Sequence, residues 1–405
     1  MNMMLLGKAL QRLVKKGTLN VIDYRGQEHR FGATDPDYPD VTIRFTDAWA
    51  PFAVVRDPAL GAAETFMDGR LVMVKGDILD LVTLIQKNNS WENNRHLEAP
   101  VGWKHGLNLL LRRFRQMNVP GRSRRNVAHH YDLDGGLYDL FLDADRQYSC
   151  AYFEHADDTL EQAQEAKKRH IAAKLALQPG QSVLDIGCGW GGMALYLHRH
   201  HGVDVTGITL STEQLAVARE RAAEAGVADK VRFELIDYRR MQGQFDRIVS
   251  VGMFEHVGVP HFREFFRTCH NLLKPDGVML LHTIGRIDGP NVTDAFTRKY
   301  IFPGGYIPAL SETMAAAEPN RLMVTDVEIL RLHYARTLRH WYDRTVANQD
   351  RIEALYDARF FRMWTYYLAG AISGFEHSAL VNFQIQFTRD RHALPITRDY
   401  MIEAG

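Results

Sequence analysis

Cysteine is scarce in this chain and none of it is arranged for pairing. Of 405 residues only Cys150, Cys188 and Cys269 are cysteines, and no two stand in a C-x-x-C spacing, so neither a disulfide framework nor a zinc site is indicated. A reducing compartment fits that usage. Long apolar runs are also missing: LNLLL and VMLL fall far short of the roughly 20 residues needed to cross a bilayer. The N-terminus, MNMMLLGKALQRLVKKG, lacks a long apolar core and a small-residue cleavage site. It reads as a short amphipathic helix of a cytoplasmic protein. Net charge is absent too, with 49 Lys and Arg against 49 Asp and Glu, and no nucleic-acid partner is expected. One further scarcity is local. Between Glu98 and Asp132 there is no acid, while Lys104, Arg112, Arg113, Arg115, Arg122, Arg124 and Arg125 form a basic block. Such a block is a solvated face or linker, or, beside LNLLL, a surface for anionic lipid headgroups.

What is present is ordinary globular material, 46% hydrophobic and 24% charged, enough for two or three domains. From Thr18 to about Asn89, short alternating runs (LNVIDYRG, HRFG, VTIRFTD) mix with helical stretches (PFAVVRDPALGAAETFMDG, GDILDLVTLIQ), which predicts a small α+β domain over 1–117. Val101 to Met117 reads as another helix, and 118–125, with Pro120 and Gly121, as a basic linker. From Gln181 the pattern alternates strand and helix: QSVLDIG, VDVTGITL, VRFELID, FDRIVSVG and GVMLLHTIG are five strand candidates. That alternation predicts a doubly wound, Rossmann-like α/β domain over 126–405. An insertion rich in polar residues, Gly and Pro, about 286–320, is expected to form a lid, followed by two long helices and a terminal strand, SALVNFQIQFTR.

The turn VLDIGCGWGG joins the first of these strands to its helix. Gly187 and Gly189 permit a tight turn and close backbone approach, Asp185 precedes them, and the helix N-terminus offers free N–H groups. The spacing is G-x-G-x-G-G rather than G-x-G-x-x-G, and the second strand ends without an acid. Both departures argue against NAD and for S-adenosylmethionine. Cys188 is a small filler of the turn. After the second strand, Ser211 and Gln214 fit a capping box, and Gln214 is equally a candidate cofactor contact. The third strand ends at Asp237 and Tyr238, where a carboxylate can accept from an adenine amino group and a ring can stack on the base; capping of the next turn by Asp237 is the alternative. The fourth strand candidate runs into Glu255 and His256, at the edge where open α/β sheets bind ligands. Glu255 there is a candidate base, and His256 a helix-start or core histidine. His129 and His130 beside Asp132 imitate a metal pair, but adjacent side chains point apart, and no metal is expected.

From about Asn126 onward the chain resembles the cyclopropane fatty acid synthases, a family that includes the mycolic acid cyclopropane synthases. The motifs that carry the resemblance are HYDL, YSCAYF, VLDIGCGWGG, SVGMFEHVG, LLHTIG, KYIFPGG and RMWTYYL. The N-terminal part is similar more loosely, through ETFMDG and GDILDL. The resemblance implies transfer of the methyl group of S-adenosylmethionine to a cis double bond of an unsaturated phospholipid acyl chain, a bound bicarbonate that removes a proton, and ring closure. It implies a bicarbonate site at Cys150, Glu255, His282, Ile284 and Tyr334, with Tyr342 as the other tyrosine in range. The cofactor contacts it implies are Tyr148, Ser149, Gly187, Gly189, Thr209, Leu210, Gln214, Asp237 and Tyr238, beside the Asp185 of the turn. Of the aromatic residues near these motifs, Tyr148, Phe153, Phe254, Tyr300, Phe302 and Tyr306, one or two are expected to face a cationic intermediate. A homodimer, peripheral on the inner face of the membrane, is also implied. Asp134-Gly135-Gly136 departs from the usual Gly-Asn after HYDL and bears on the loop over the acyl chain. Other readings of the same fold are fatty-acyl C-methylation and amine N-methylation.

Overall fold

The computed structural model describes residues 2–93 and 135–403. The basic block, the expected helix from Val101 to Met117, the linker, His129, His130 and Asp134 lie outside the described residues. Two compact units organise the chain. The first takes Met1–His105, Asp294–Ile301 and Leu338–Ala379; the second takes Gly106–Thr293, Phe302–Thr337 and Leu380–Gly405. The division expected from sequence was consecutive, whereas the chain returns twice to the first unit.

In the first unit, strands β1 (Thr18–Ile22), β2 (Glu28–Phe31), β3 (Asp40–Phe45) and β4 (Leu71–Lys75) form one sheet in the order β2-β1-β3-β4. Helix α1 (Asn2–Leu13) is the expected amphipathic helix, burying Leu6 and Leu10 and exposing Met4 and Leu5. The stretch read as one helix is two, α2 (Ala50–Arg56) and α3 (Pro58–Met67). Pro58 cannot continue the first helix but suits the first position of the second, where the Asp57 carboxylate accepts the Leu60 N–H. Helix α4 (Ile78–Lys87) starts in a full Asp77/Asp80 capping box. Specific contacts hold both returning segments in the first unit. Lys299 and Tyr300 both bond the Glu64 carboxylate at 2.6 and 2.8 Å. The helix Ala358–His377 packs on α4 and α3, burying Trp364, Leu368 and Ile372.

The second unit is built on seven strands, β5 (Ser182–Ile186), β6 (Asp204–Thr209), β7 (Val231–Leu235), β8 (Phe245–Val251), β9 (Leu273–Arg286), β10 (Met323–Ile329) and β11 (Leu380–Thr388). Their order is β10-β11-β9-β8-β5-β6-β7. The strands from β5 to β9 pair in parallel, and β11 inserts antiparallel between β9 and β10. This is the expected Rossmann-like sheet with an antiparallel addition. Strand order reverses at β5, which has β8 on one side and β6 on the other, and such a switch point opens a crevice at the carboxyl ends of the strands. Apolar clusters cover both faces. One, around Leu184, Ile248, Phe254, Phe262 and Phe266, lies under the helix Phe262–Leu272. The other, around Val183, Val205, Val249 and Leu197, lies under the helix Gly192–His201.

Candidate active site

A cleft of about 1170 Å³, counted with its open mouth, occupies the switch point. All ten residues expected to contact the cofactor line it: Tyr148, Ser149, Asp185, Gly187, Gly189, Thr209, Leu210, Gln214, Asp237 and Tyr238. The chain reaches this arrangement through turns that follow β5, β6, β7 and β8. Gly187 has φ +85°, and a Cβ there would stand 2.8 Å from the Met253 Cβ; Gly189, at φ +52°, has no protein atom within 4 Å of that point. The first glycine lets two strand ends close up, and the second leaves room in the cradle.

The polar groups of the cleft are unevenly satisfied. Asp185 is buried, its Oδ2 has no hydrogen-bond partner, and burial pushes its carboxyl up to about 7 against the opposing charge of Lys167. An unpartnered buried carboxylate oxygen beside an open glycine cradle fits a cationic nucleoside such as S-adenosylmethionine. Gln214 caps only in part: Ser211 Oγ accepts its N–H, but its side-chain oxygen takes the Thr209 hydroxyl instead of closing the box. Asp237 is engaged on both oxygens by the Arg239 guanidinium, at 2.8 and 2.6 Å, and Oδ1 also accepts the Arg239 N–H, as the capping alternative requires. Arg239 holds its carboxyl below the usual range although burial opposes this.

Of the five residues expected at the anion site, none lines the cleft. All lie in the second unit. Glu255 sits in the short 3-10 turn Phe254–His256 just past β8. Its Oε1 accepts the Ile284 N–H from β9 at 2.6 Å, while its Oε2 is buried without a partner. Burial raises its carboxyl to about 7; the Ile284 N–H and the Thr283 hydroxyl favour the charged form but do not prevail. The turn is fixed from the expected lid, since Tyr306 N–H donates to the Glu255 carbonyl at 2.9 Å. His282 is buried in β9 with its ring between two amides, Asn382 at Nε2 (3.1 Å) and Gln384 at Nδ1 (3.2 Å). A neutral ring has one N–H and one lone pair, so one amide donates its N–H to the ring, and the other satisfies the ring N–H only by turning its carbonyl oxygen toward it. Burial pushes its imidazole down to about 3, and both ring nitrogens are already taken. Cys150 is fully buried with its thiol pushed up by desolvation, which excludes a ready thiolate nucleophile. Tyr334 is buried near the start of the helix His333–Ala347. The other tyrosine, Tyr342, belongs to the first unit and donates to the Asp77 carboxylate at 3.1 Å.

Sequence reasoning missed several participants. His256, read as a helix-start or core histidine, ends the short helical turn Phe254–His256, lines the cleft, packs edge-on to Phe302 and is kept neutral by burial, which lowers its pKa to about 4. Trp190, Met253 and Arg239 line it too. Lys167 lies fully buried in the helix Leu160–Leu175 and donates to Gln147 Oε1 at 2.5 Å and Ser149 Oγ at 2.9 Å, supporting the cleft wall. The signal for it was a lysine at the core-facing position between Ala163 and Ile171. Among the aromatic candidates Tyr148 faces the cleft, whereas Phe254 is packed on Phe262 and Phe265, and Tyr300 serves Glu64 in the first unit.

The sequence profile of the family described as mycolic acid cyclopropane synthetase matches residues 120–385. The chain is 39% identical over 336 residues to the cyclopropane-fatty-acyl-phospholipid synthase of Escherichia coli K12, covering 83% of this chain and 85% of that protein. It is 40% identical over 286 residues to a probable fatty acid methyltransferase of Pseudomonas putida, covering 68% and 73%. The solved structure of the mycolic acid cyclopropane synthase CmaA1 complexed with SAH and CTAB superposes with a TM-score of 0.62 at 36% identity, over 65% of this chain and 97% of that one. The glycine cleft, the Glu255 turn and these matches agree: the chain belongs to the cyclopropane synthase family of S-adenosylmethionine-dependent methyltransferases.

Proposed function

We propose that this protein converts a cis double bond of an unsaturated phospholipid acyl chain into a cyclopropane ring. The observation that carries the reading is Glu255, whose one oxygen is pinned by a backbone N–H while the other is buried and unsatisfied at the tip of β8. Methyl transfer to an oxygen or nitrogen needs mainly positioning, because those atoms offer lone pairs. Transfer to a carbon–carbon double bond leaves a carbocation, and a proton must then be removed before the ring closes. A carboxylate in contact with the reacting carbons would itself risk alkylation, so an exchangeable base held by Glu255 suits the chemistry better than Glu255 acting directly. Bicarbonate, when bound, supplies that base. Its hydroxyl fits the vacant acceptor Oε2, and Cys150, His282, Ile284 and Tyr334 are the further residues assigned to its site. S-adenosylmethionine, when bound, supplies the methyl group as an electrophile. Asp185 offers an acceptor to its cationic portion, Gly187 and Gly189 admit it, and Tyr148 and Tyr238 line the cleft beside it.

Phospholipid as substrate is supported by the name of the Escherichia coli relative and by the first unit, which we assign to lipid binding. That unit exposes Met4, Leu5, Trp49 and Phe52, which suit insertion among headgroups. No described helix is long and apolar enough to cross a membrane, so peripheral attachment to the inner leaflet, as a homodimer, completes the proposal. The name of the Pseudomonas relative favours a second reading, C-methylation of a fatty acyl chain without ring closure. Glu255→Gln tests the carrying observation: it retains S-adenosylmethionine affinity within about threefold, loses at least about a hundredfold in turnover, and regains part of it at high bicarbonate. Wild-type turnover in this variant removes Glu255 from the reaction.

A further inference from the structure

The segment from Tyr148 to Phe153 has no regular secondary structure, yet it supplies Tyr148 and Ser149 to the cleft and buries Cys150 and Ala151 completely. An irregular buried segment must find partners for its backbone N–H groups outside any ladder. Here they alternate. The Tyr152 N–H donates to the Ala163 carbonyl on one side at 3.0 Å. On the other side the Ala151 N–H donates to Thr337 Oγ1 and the Phe153 N–H to His333 Nδ1, each at 3.0 Å. Residues two apart on an extended strand are about 6.6 Å apart, and residues four apart on a helix about 6 Å. His333 and Thr337 are therefore spaced to receive two successive same-side amides. Arg336, on the same helix, donates to the Ala156 carbonyl at 2.8 Å and lies 4.1 Å above the Phe153 ring. Tyr334 stands between these holding residues.

We infer that His333 is a positioning residue for the reaction: its imidazole, with Thr337, clamps the segment bearing Ser149 and Cys150 against the helix that bears Tyr334. The inference rests on the assignment of Cys150 and Tyr334 to the site. A backbone N–H can only donate, so Nδ1 must carry a lone pair and the clamp holds only while the ring is neutral. The surroundings favour that state. The ring stacks on Tyr152 at 4.8 Å, and Tyr152 stacks in turn on His170 at 4.1 Å, whose Nε2 pairs with Glu328. Burial lowers the His333 pKa, as do the charges of Arg336, His170 and Arg331; Glu328 opposes them. With the folded pKa depressed, the clamp is intact above the ordinary histidine range and is lost as pH falls through the folded value.

The test uses the full-length protein with three variants. His333→Leu removes the acceptor; His333→Asn replaces Nδ1 by an amide oxygen that does not protonate; Thr337→Val removes the second acceptor. Turnover on phospholipid vesicles and hydrogen exchange of the peptide spanning residues 148–155 are followed between about pH 5.5 and 7.5. His333→Leu and Thr337→Val each lower turnover about tenfold and raise exchange in that peptide, the loss expected for an orphaned buried N–H. His333→Asn stays within about threefold of wild type at pH 7.5, and its turnover relative to wild type rises as pH falls. Contributions of Glu255 are common to both proteins and cancel in this ratio. Faster exchange with unchanged turnover in His333→Leu overturns the positioning role and leaves the site assignment of this segment in error. Unchanged exchange of that peptide in both His333→Leu and Thr337→Val overturns the clamp itself without touching the function proposed from Glu255.

Discussion

Glu255 has a carboxyl held up to about 7 by burial, and that shift has two consequences of opposite sense. For stability, a folded pKa above the unfolded one means a contribution fully present below the unfolded value and lost as pH rises through about 7. For function, the charged form is the one that can accept a proton from an occupant at Oε2. Turnover of the wild type is therefore expected to rise with pH around 7, and the residual turnover of Glu255→Gln to lack that limb; an identical limb in the variant would assign it elsewhere, Asp185 being the first candidate. The glutamate was legible in sequence because a strongly apolar strand ran into an acid. The state of its neighbours was not. Nothing in the order of residues announces that Arg239 folds back onto both oxygens of Asp237 in the turn after β7, or that Asn382 and Gln384 take both nitrogens of His282, which depends on how β9 and β11 register.

At the scale of elements, the glycine turn and the five parallel strands were readable from apolar runs ending in turn residues. Strands β4 and β10 were not. β4 opens on a short apolar run, Leu71 to Val74, that is mostly only half-buried or exposed, while β10 buries only Asp326 and is interrupted by Thr325, Asp326 and Glu328, so it lacks the continuous apolar run of a central strand. Both are edge strands, β4 next to β3 and β10 next to β11. The two turn glycines should respond differently to a methyl group. In Gly187→Ala the positive φ and the close Met253 side chain together cost about 2 kcal/mol of stability. In Gly189→Ala the backbone strain alone costs about 1 kcal/mol, while the new methyl enters open space in the cradle and weakens S-adenosylmethionine binding at least about tenfold. Thermal unfolding and calorimetric titration of both variants distinguish the two; equal effects on both quantities would contradict the roles assigned here.

For the molecule as a whole, the domain boundaries were the least legible feature. Membership of the first unit by 294–301 and 338–379 depends on contacts across large sequence separations, such as Lys299 with Glu64 and Arg359 with Asp68, and no composition shift marks them. The proposed attachment to membranes combines exposed apolar side chains of the first unit with the basic block of the sequence, which a charge count of zero conceals. Binding to vesicles containing anionic phospholipid should fall at least about tenfold when salt is raised from low to several hundred millimolar. Indifference to salt and to anionic lipid content would count against the basic block.

The most direct measurement is mass spectrometry of monounsaturated phospholipid vesicles incubated with the protein and S-adenosylmethionine carrying a trideuterated methyl group. Ring formation predicts acyl chains that gain one carbon bearing two deuterons, the third having left as the proton removed, and that resist catalytic hydrogenation. Chains that keep all three deuterons, or that take up hydrogen afterwards, would contradict ring closure and establish simple C-methylation instead.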